Sequence, residues 1–264
     1  MQKTDDAMEN RIDWKRYKAA VWRSNRQQLK PVEQLDTIML DSLVGIERQK
    51  SRIVDNTERF LKGVPCNHAL LWGSRGTGKS SIVKALLNRY ADEGLRVVEF
   101  PREALGWLPE VADELRDAPY RFIIFCDDLS FEAGETGYKG LKSVMEGSIE
   151  AAPENILVYA TSNRRHLVPE YMSDNLGATV GERGELHLSD SVEERISLAD
   201  RFGLSLSFYH GNLDDYLMIV ESYFKEYAGD KEALMHEATR FARERASFSG
   251  RTAQQFYNTW VSKA

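Results

Sequence analysis

Residues 68–87 read HALLWGSRGTGKSSIVKALL, a stretch that changes character twice, and those changes decide the fold. Ala69-Leu70-Leu71-Trp72 is a short apolar run of the kind that makes a buried strand. Ser80 to Ala91 carries apolar residues at helical spacing and is closed by Gly94, a good C-cap. Between them Gly73 to Ser80, GSRGTGKS, satisfies G-x-x-x-x-G-K-[ST], the phosphate-binding loop. At average residue frequencies the pattern arises by chance in roughly one chain of this length in a hundred, and here it also has the strand before it and the helix after it that the motif requires. Gly73, Gly76 and Gly78 let the backbone aim several N–H groups at an anion. Lys79 is placed to reach β- and γ-phosphates and the Ser80 hydroxyl to ligate magnesium, with Ser74, Arg75, Thr77 and Ser81 completing the loop. The following helix presents its positive N-terminus to the same place.

The loop needs a carboxylate at the tip of a second buried strand. RFIIFCDD (121–128) supplies two, on a run too apolar to expose either face. Asp127 is suited to hold magnesium through water and Asp128 to polarise an attacking water. NILVYATSN (155–163) is another apolar strand with a polar end, where Asn163 orients that water, touches the γ-phosphate or is a plain loop residue. RVVEF and LSLSF complete five strand patterns, alternating with helical patterns over Leu108–Leu115, Tyr138–Met145 and Val192–Asp200. Such alternation predicts a five-stranded parallel sheet with helices on both faces. RVVEF falls in sequence between the two motif strands, which suggests a sheet with an inserted central strand. Guanine-specific enzymes use N-K-x-D, which Asn163-Arg164-Arg165-His166 does not fit, so ATP is favoured over GTP.

After His210 the strand signals stop, and Asp214–Tyr227, Lys231–Arg245 and Thr252–Lys263 all read as amphipathic helices. The expected organisation is an N-terminal helical extension over 1–40, an α/β nucleotide-binding domain over 41–210 and a small all-helical domain over 211–264. In the extension, seven basic residues stand against one acid (Asp13) between Arg11 and Lys30, with Ile12, Trp14, Tyr17, Val21 and Trp22 at near-helical spacing. This reads as a helix packing its aromatic face on the main domain, or as a basic arm for nucleic acid or a protein partner. Two arginines flank the last strand and open the last helix: Arg201 in SLADRFGL and Arg251 in SFSGRTAQQF. Each reads either as a surface ion pair or as a guanidinium that stabilises charge developing in phosphoryl transfer.

Composition narrows the function classes. With 42% hydrophobic and 29% charged residues the chain can bury a sizeable core, and its net charge of −6 argues against a generally basic nucleic-acid binder. Cys66 and Cys126 do not make a disulfide framework, and Cys126 lies in an apolar run, so a reduced thiol in the cytoplasm is expected. No apolar run approaches the roughly 20 residues of a membrane span, and the first residues lack a signal-peptide core. The five histidines and two cysteines show no metal-ligand spacing, and no G-x-S-x-G motif appears.

Taken in order, the phosphate loop, the acid-ended strand, the asparagine-ended strand, Asp-Arg-Phe and Gly-Arg opening a late helix resemble the AAA+ ATPases over residues 40–264 or so. LDSLVGIERQK is similar to the segment that precedes the loop in that family, and the resemblance implies that Val44, Gly45 and Ile46 line an adenine pocket. More narrowly, FCDDLSFE, GETGYKGLKS, TSNRRHLVPE and DRFGLSLSFY resemble a bacterial AAA+ group catalogued as a domain of unknown function (DUF815), akin to the DnaA/DnaC/IstB-type clade. The resemblance implies Mg-ATP bound by Lys79, Ser80 and Asp127, Asn163 as sensor 1, Arg251 as sensor 2 on a C-terminal lid, and Arg201 as a finger on a neighbouring subunit's ATP, with Arg164 and Arg165 competing for that role. A finger in trans implies a ring or helical homo-oligomer. The expected role is remodelling of a macromolecular partner, protein or nucleic acid, or else that of a nucleotide-gated loader or regulator with little turnover. Asp128 departs from the family, which mostly carries glutamate there, and its carboxylate is one methylene shorter, so the expectation is either slow turnover or a water reached differently. Trp107 in REALGWLPE falls where threading members place an aromatic pore loop, though packing is the plainer reading. The charged segment EAGETGYKG (132–140) either faces a partner or is solvated.

Overall fold

Strands whose residues are apolar on both faces belong in the middle of a sheet, and that is where the two most apolar ones lie. The computed structural model describes residues 12–130, 137–147, 149–163, 179–180, 186–187 and 197–261. In chain order its elements are β1 (Ala19–Arg23), β2 (Gln28–Pro31), α1 (Glu47–Leu61), β3 (Ala69–Gly73), α2 (Lys79–Tyr90), β4 (Leu95–Glu99), α3 (Leu108–Arg116), β5 (Arg121–Cys126), α4 (Tyr138–Glu146) and β6 (Ile156–Ser162). There follow β7 (Thr179–Val180), β8 (Leu186–His187), β9 (Leu204–Phe208), α5 (Leu213–Tyr223), α6 (Lys231–Glu244) and α7 (Gly250–Val261). One sheet runs β2-β1-β4-β5-β6-β3-β9, and β7 pairs with β8 in a separate two-residue ladder. Every residue of β6 is buried. In β5, Phe122, Ile124 and Cys126 enter one core and Ile123 and Phe125 the other, the two-residue period of a strand covered on both sides.

The first core packs α3 and α4 against one face through Leu108, Val111, Leu115, Leu141 and Val144. The second packs α1 and α2 against the other through Ile53, Phe60, Ile82, Leu86 and Tyr90. Each fully buried aliphatic or aromatic side chain contributes about 1.5–3 kcal/mol of transfer free energy, which makes these two layers the frame that fixes the strand tips. A third core, formed by Tyr216, Val220, Leu234, Ala238 and Phe256, holds α5, α6 and α7 together. Asn212 caps α5 in a capping box with Asp215, and Asp230 caps α6 by accepting from Glu232 N and Ala233 N. These helices correspond to the three expected after residue 210, with α5 ending at Tyr223 rather than Tyr227. Of the helix expected over 192–200, residues 197–200 are helical and the earlier ones lie outside the described residues.

Two expectations are corrected. The sheet has seven strands, not five, because the segment expected as a helix is a hairpin, β1 antiparallel to β2 and parallel to β4. Trp14, Tyr17 and Trp22 mimic helical spacing but sit in different surroundings. Trp14 meets Phe122 edge-on at 5.0 Å, and Trp22 stacks on Phe100 at 5.1 Å and on Trp107 at 6.3 Å. The turn between the strands carries Gln27 at φ +48°, and Pro31 is tolerated on the edge strand because no ladder bond is needed there. The inserted strand is also a different one. It is β6, not RVVEF, that lies between the loop-bearing β3 and the acid-ended β5, while RVVEF, as β4, lies beyond β5.

Candidate functional site

The tips of β3, β5 and β6 are neighbours at the carboxyl edge of the sheet, where open α/β folds place ligands. Gly73, at φ +126°, ends β3, and a Cβ built on it would stand 1.9 Å from the Phe208 carbonyl oxygen of β9. Ser74 N donates to that same oxygen at 2.8 Å, so the loop leaves the sheet pressed against its neighbour's backbone. Thr77 Oγ1 donates to the Ser74 carbonyl at 2.8 Å, which tightens the turn. Arg75 is exposed, and Ser81 is half-buried in the first turn of α2. Lys79 is only 7% exposed, and its ammonium donates to the carbonyls of Gly73 at 2.9 Å and Ser74 at 2.6 Å. Burial pushes its pKa below that of an ordinary lysine, against the pull of Asp127 and Asp128.

The acids meet the loop through Ser80, whose hydroxyl donates to Asp127 Oδ1 at 2.7 Å. Thr161 Oγ1, from β6, donates to the same oxygen at 2.5 Å and accepts from Asp128 N at 2.9 Å. Asp128 stands at φ +52°, in the left-handed region, which turns the chain out of the strand. Asn163 Nδ2 donates to Asp128 Oδ1 at 2.6 Å. Beside the acids a cleft of about 390 Å³ opens between the ends of β4 and β5, lined by Glu99, Arg102, Glu103, Asp127, Asp128 and Ser130.

Arg251, exposed in the first turn of α7, reaches the loop from the helical end of the chain. Its backbone N–H donates to the Gly76 carbonyl at 3.4 Å, and a Cβ on Gly76 would lie 3.1 Å from both Arg251 Cβ and Ser249 Oγ. Ile46, at the start of α1, comes within 3.3 Å of a Cβ built on Gly78, while Val44 is half-buried and Gly45 turns the chain at φ +82°. Lys79, Ser80, Asp127, Asp128, Asn163, Arg251 and the 44–46 segment are thus gathered about one loop. Arg201 is not. It precedes β9, whose C-terminal end is the one beside the loop; at about 3.3 Å per strand residue it lies some 16 Å or more away. There its Nε is 2.6 Å from Glu146 Oε1, in an ion pair not aligned as a hydrogen bond, and its Nη1 contacts Ser197. Arg164, Arg165 and residues 132–136 of the charged segment lie outside the described residues.

One residue of the candidate site escaped the sequence reading: Thr161. Its signal is a hydroxyl at 2% exposure where an apolar strand turns polar, two residues before Asn163 and so on the same face.

A family model described as Protein of unknown function (DUF815) matches residues 15–264. The chain belongs to the DUF815 family. Comparison with curated proteins returns no match. Among solved structures it is similar to RuvB of Thermotoga maritima, the Holliday junction branch migration motor, at 14% identity and TM-score 0.55, covering 86% of this chain and 67% of that one. Two single-residue variants of the same RuvB align at TM-scores of 0.56 and 0.57, with 16% and 14% identity, covering 86% and 87% of this chain and 67% and 69% of theirs. At such identities the likeness shows the fold alone. This DUF815 chain has the AAA+ P-loop architecture, and no helix among its described residues is long and apolar enough to cross a membrane.

Proposed function

We propose that the protein is a Mg-ATP-dependent AAA+ ATPase that works as a homo-oligomer to remodel a macromolecular partner. One observation carries this reading: the buried Lys79, Ser80 and the two acids of β5 converge on a glycine loop, with Asn163 on Asp128. The residues fit both ATP and magnesium. A lysine whose charge burial disfavours is bonded, among the described residues, to carbonyls of its own loop, a place where polyphosphate is the complementary partner. Ser80 and Asp127 offer two oxygen ligands, and no cluster of three metal-binding side chains exists among the described residues, so an ion there completes its shell with phosphate and water, as magnesium does. When bound, magnesium neutralises charge on the transferred phosphoryl group.

In this reading Lys79 and the loop N–H groups orient the triphosphate, Asp128 accepts a proton from the attacking water, and Asn163 fixes the Asp128 carboxylate. Arg251 senses the nucleotide from the helical end, which serves as the lid, and Arg201, far from its own loop, acts on a neighbouring subunit. The fold is shared with a motor that acts on branched DNA, an analogy that supports remodelling without naming the partner. A second reading, a nucleotide-gated loader with little turnover, is favoured by one contact: the short Asp128 carboxylate is already engaged by Asn163. ATP hydrolysis measured against a Lys79→Ala control separates the two. Turnover that rises with protein concentration and vanishes in Arg201→Ala supports the ATPase. Tight ATP binding without turnover at any concentration overturns it. Affinity capture with Asp128→Asn, which should hold ATP, then identifies the partner.

A further inference from the structure

We propose that Thr161 is a positioning residue that sets both acids of the site through one hydroxyl. The proposal rests on the ATPase reading for its consequence and on this geometry for its substance. Thr161 Oγ1 uses its proton on Asp127 Oδ1 and accepts the backbone N–H of Asp128. Those are the two groups whose placement matters: the carboxylate that shares Ser80, and the peptide that aims the next carboxylate. The last register pair between β5 and β6 is Cys126 with Ala160, so the Asp128 N–H has left the ladder. With φ at +52° Asp128 turns away from the strand, and the Thr161 side chain takes the place of a backbone acceptor. One residue later a single backbone bond ties the chain to β6 again, Leu129 N donating to the Thr161 carbonyl at 2.7 Å. Thr161 therefore clamps the outward turn of Asp128 from both sides, by its side chain before the turn is complete and by its backbone after it.

Threonine is the residue this duty selects. Its β-branched side chain suits a strand buried on both faces, and its hydroxyl offers a donor and an acceptor at once. Valine keeps the shape and loses both bonds; serine keeps both bonds and loses a methyl group. Asn163 stands two residues further on the same face and bonds Asp128 Oδ1, so β6 grips Asp128 at its backbone and at its carboxylate.

The test compares full-length Thr161→Val, Thr161→Ser and Thr161→Ala with wild type. Hydrogen exchange at the Asp128 amide, measured without nucleotide, should be protected in wild type and Thr161→Ser and lose at least about tenfold of that protection in Thr161→Val. ATP turnover should fall at least about tenfold in kcat in Thr161→Val, with KM and the magnesium-free affinity for a fluorescent ATP analogue held within about twofold, and Thr161→Ser should stay within about threefold of wild type. Unchanged Asp128 protection in a folded Thr161→Val overturns the proposal. So does Thr161→Ser being as impaired as Thr161→Val. If Thr161→Val does not fold, the Ser and Ala variants, which both lack the methyl group, decide: equal behaviour overturns the hydroxyl's role. Failure of wild type to exceed Lys79→Ala in turnover refutes the ATPase reading instead, and amide exchange still decides on Thr161.

Discussion

Replacing Gly73 with alanine tests whether the phosphate loop is held in shape by its contact with β9. The Cβ would lie 1.9 Å from the Phe208 oxygen, far inside the roughly 3.5 Å at which non-bonded carbons pack. That oxygen belongs to backbone already bonded to Ser74 N, so no side chain can swing aside. Three costs combine. A non-glycine residue at φ +126° costs about 1–2 kcal/mol, overpacking against backbone about 1–3 kcal/mol, and the Ser74–Phe208 bond, once pushed apart, about 1 kcal/mol. The expected loss is about 3–6 kcal/mol, a large part of a typical domain stability. Gly94→Ala supplies the control, since Gly94 stands at φ +98° with nothing within 4 Å of its Cβ and carries only the conformational cost. Urea unfolding of both variants isolates the steric part, expected at about 2–4 kcal/mol. Titration with a fluorescent ATP analogue should show binding abolished in Gly73→Ala and retained in Gly94→Ala. Equal stabilities of the two variants, within about 1 kcal/mol, would refute the claim that the loop is braced by β9.

Four further outcomes are expected. His68 accepts from Val158 N through Nδ1 and contacts the Met145 carbonyl through Nε2, and burial pushes its pKa below 6.5; its stabilising effect is therefore complete above pH 6.5 and lost on acidification below it. Urea midpoints at pH 7.5 and 5.5 should show His68→Asn with a flatter pH dependence than wild type, the difference bounded by about 1.4 kcal/mol per pH unit. Cys126 is fully buried with its thiol pushed up to about 12, and Cys66 is half-buried, so a thiol reagent should titrate Cys66 in the native protein and Cys126 only in urea; two fast thiols would contradict the core placement. Arg23, Arg26 and Lys30 are exposed around the β1–β2 turn, so reversing all three to glutamate should weaken any nucleic-acid binding and lower its salt slope by about 3, whereas unchanged binding assigns the hairpin a purely structural role. Glu146→Gln should loosen Arg201 and let turnover appear at lower protein concentration, an effect that must vanish in the Arg201→Ala background.

The centre of the fold was legible because its strands obey one rule. β3, β5 and β6 are each built around an apolar run and are followed by the chemistry they present, so strand, loop and function coincide in sequence. The hairpin was illegible for the converse reason. β1 and β2 are five and four residues long, too short to show a period, and the nearby aromatics pack on distant residues, Trp14 on Phe122 of β5 and Trp22 of β1 on Phe100 and Trp107, which sequence spacing cannot display. Strand order was misjudged because sequence order says nothing about which strand is inserted; only the crossover of α2 past β5 and β6 decides it. Trp107 illustrates a mixed outcome. It stacks on Trp22 and yet remains 43% exposed, so packing accounts for one of its faces.

The contacts of the loop explain how a nucleotide could be felt elsewhere without a long relay. Lys79 is a buried cation whose charge burial disfavours, with Arg75 and Arg251 pushing the same way and Asp127 and Asp128 opposing them. An anion is the partner this arrangement suits, and the bonds from Lys79 to the Gly73 and Ser74 carbonyls are the ones that a polyphosphate would replace. Those carbonyls belong to the segment that Phe208 braces on one side, while Gly76, three residues on, carries the Arg251 and Ser249 contacts on the other. Any change in how Lys79 is bonded therefore acts directly on two neighbours. One is the first turn of α7, and through it the helical end packed around Phe256. The other is β9, the strand that Arg201 precedes. On the proposed reading the arginine that senses its own nucleotide, Arg251, meets the loop directly, while the one that acts on a neighbour's, Arg201, is linked to it along the length of β9. The bistable element needed to couple sites is then the loop itself.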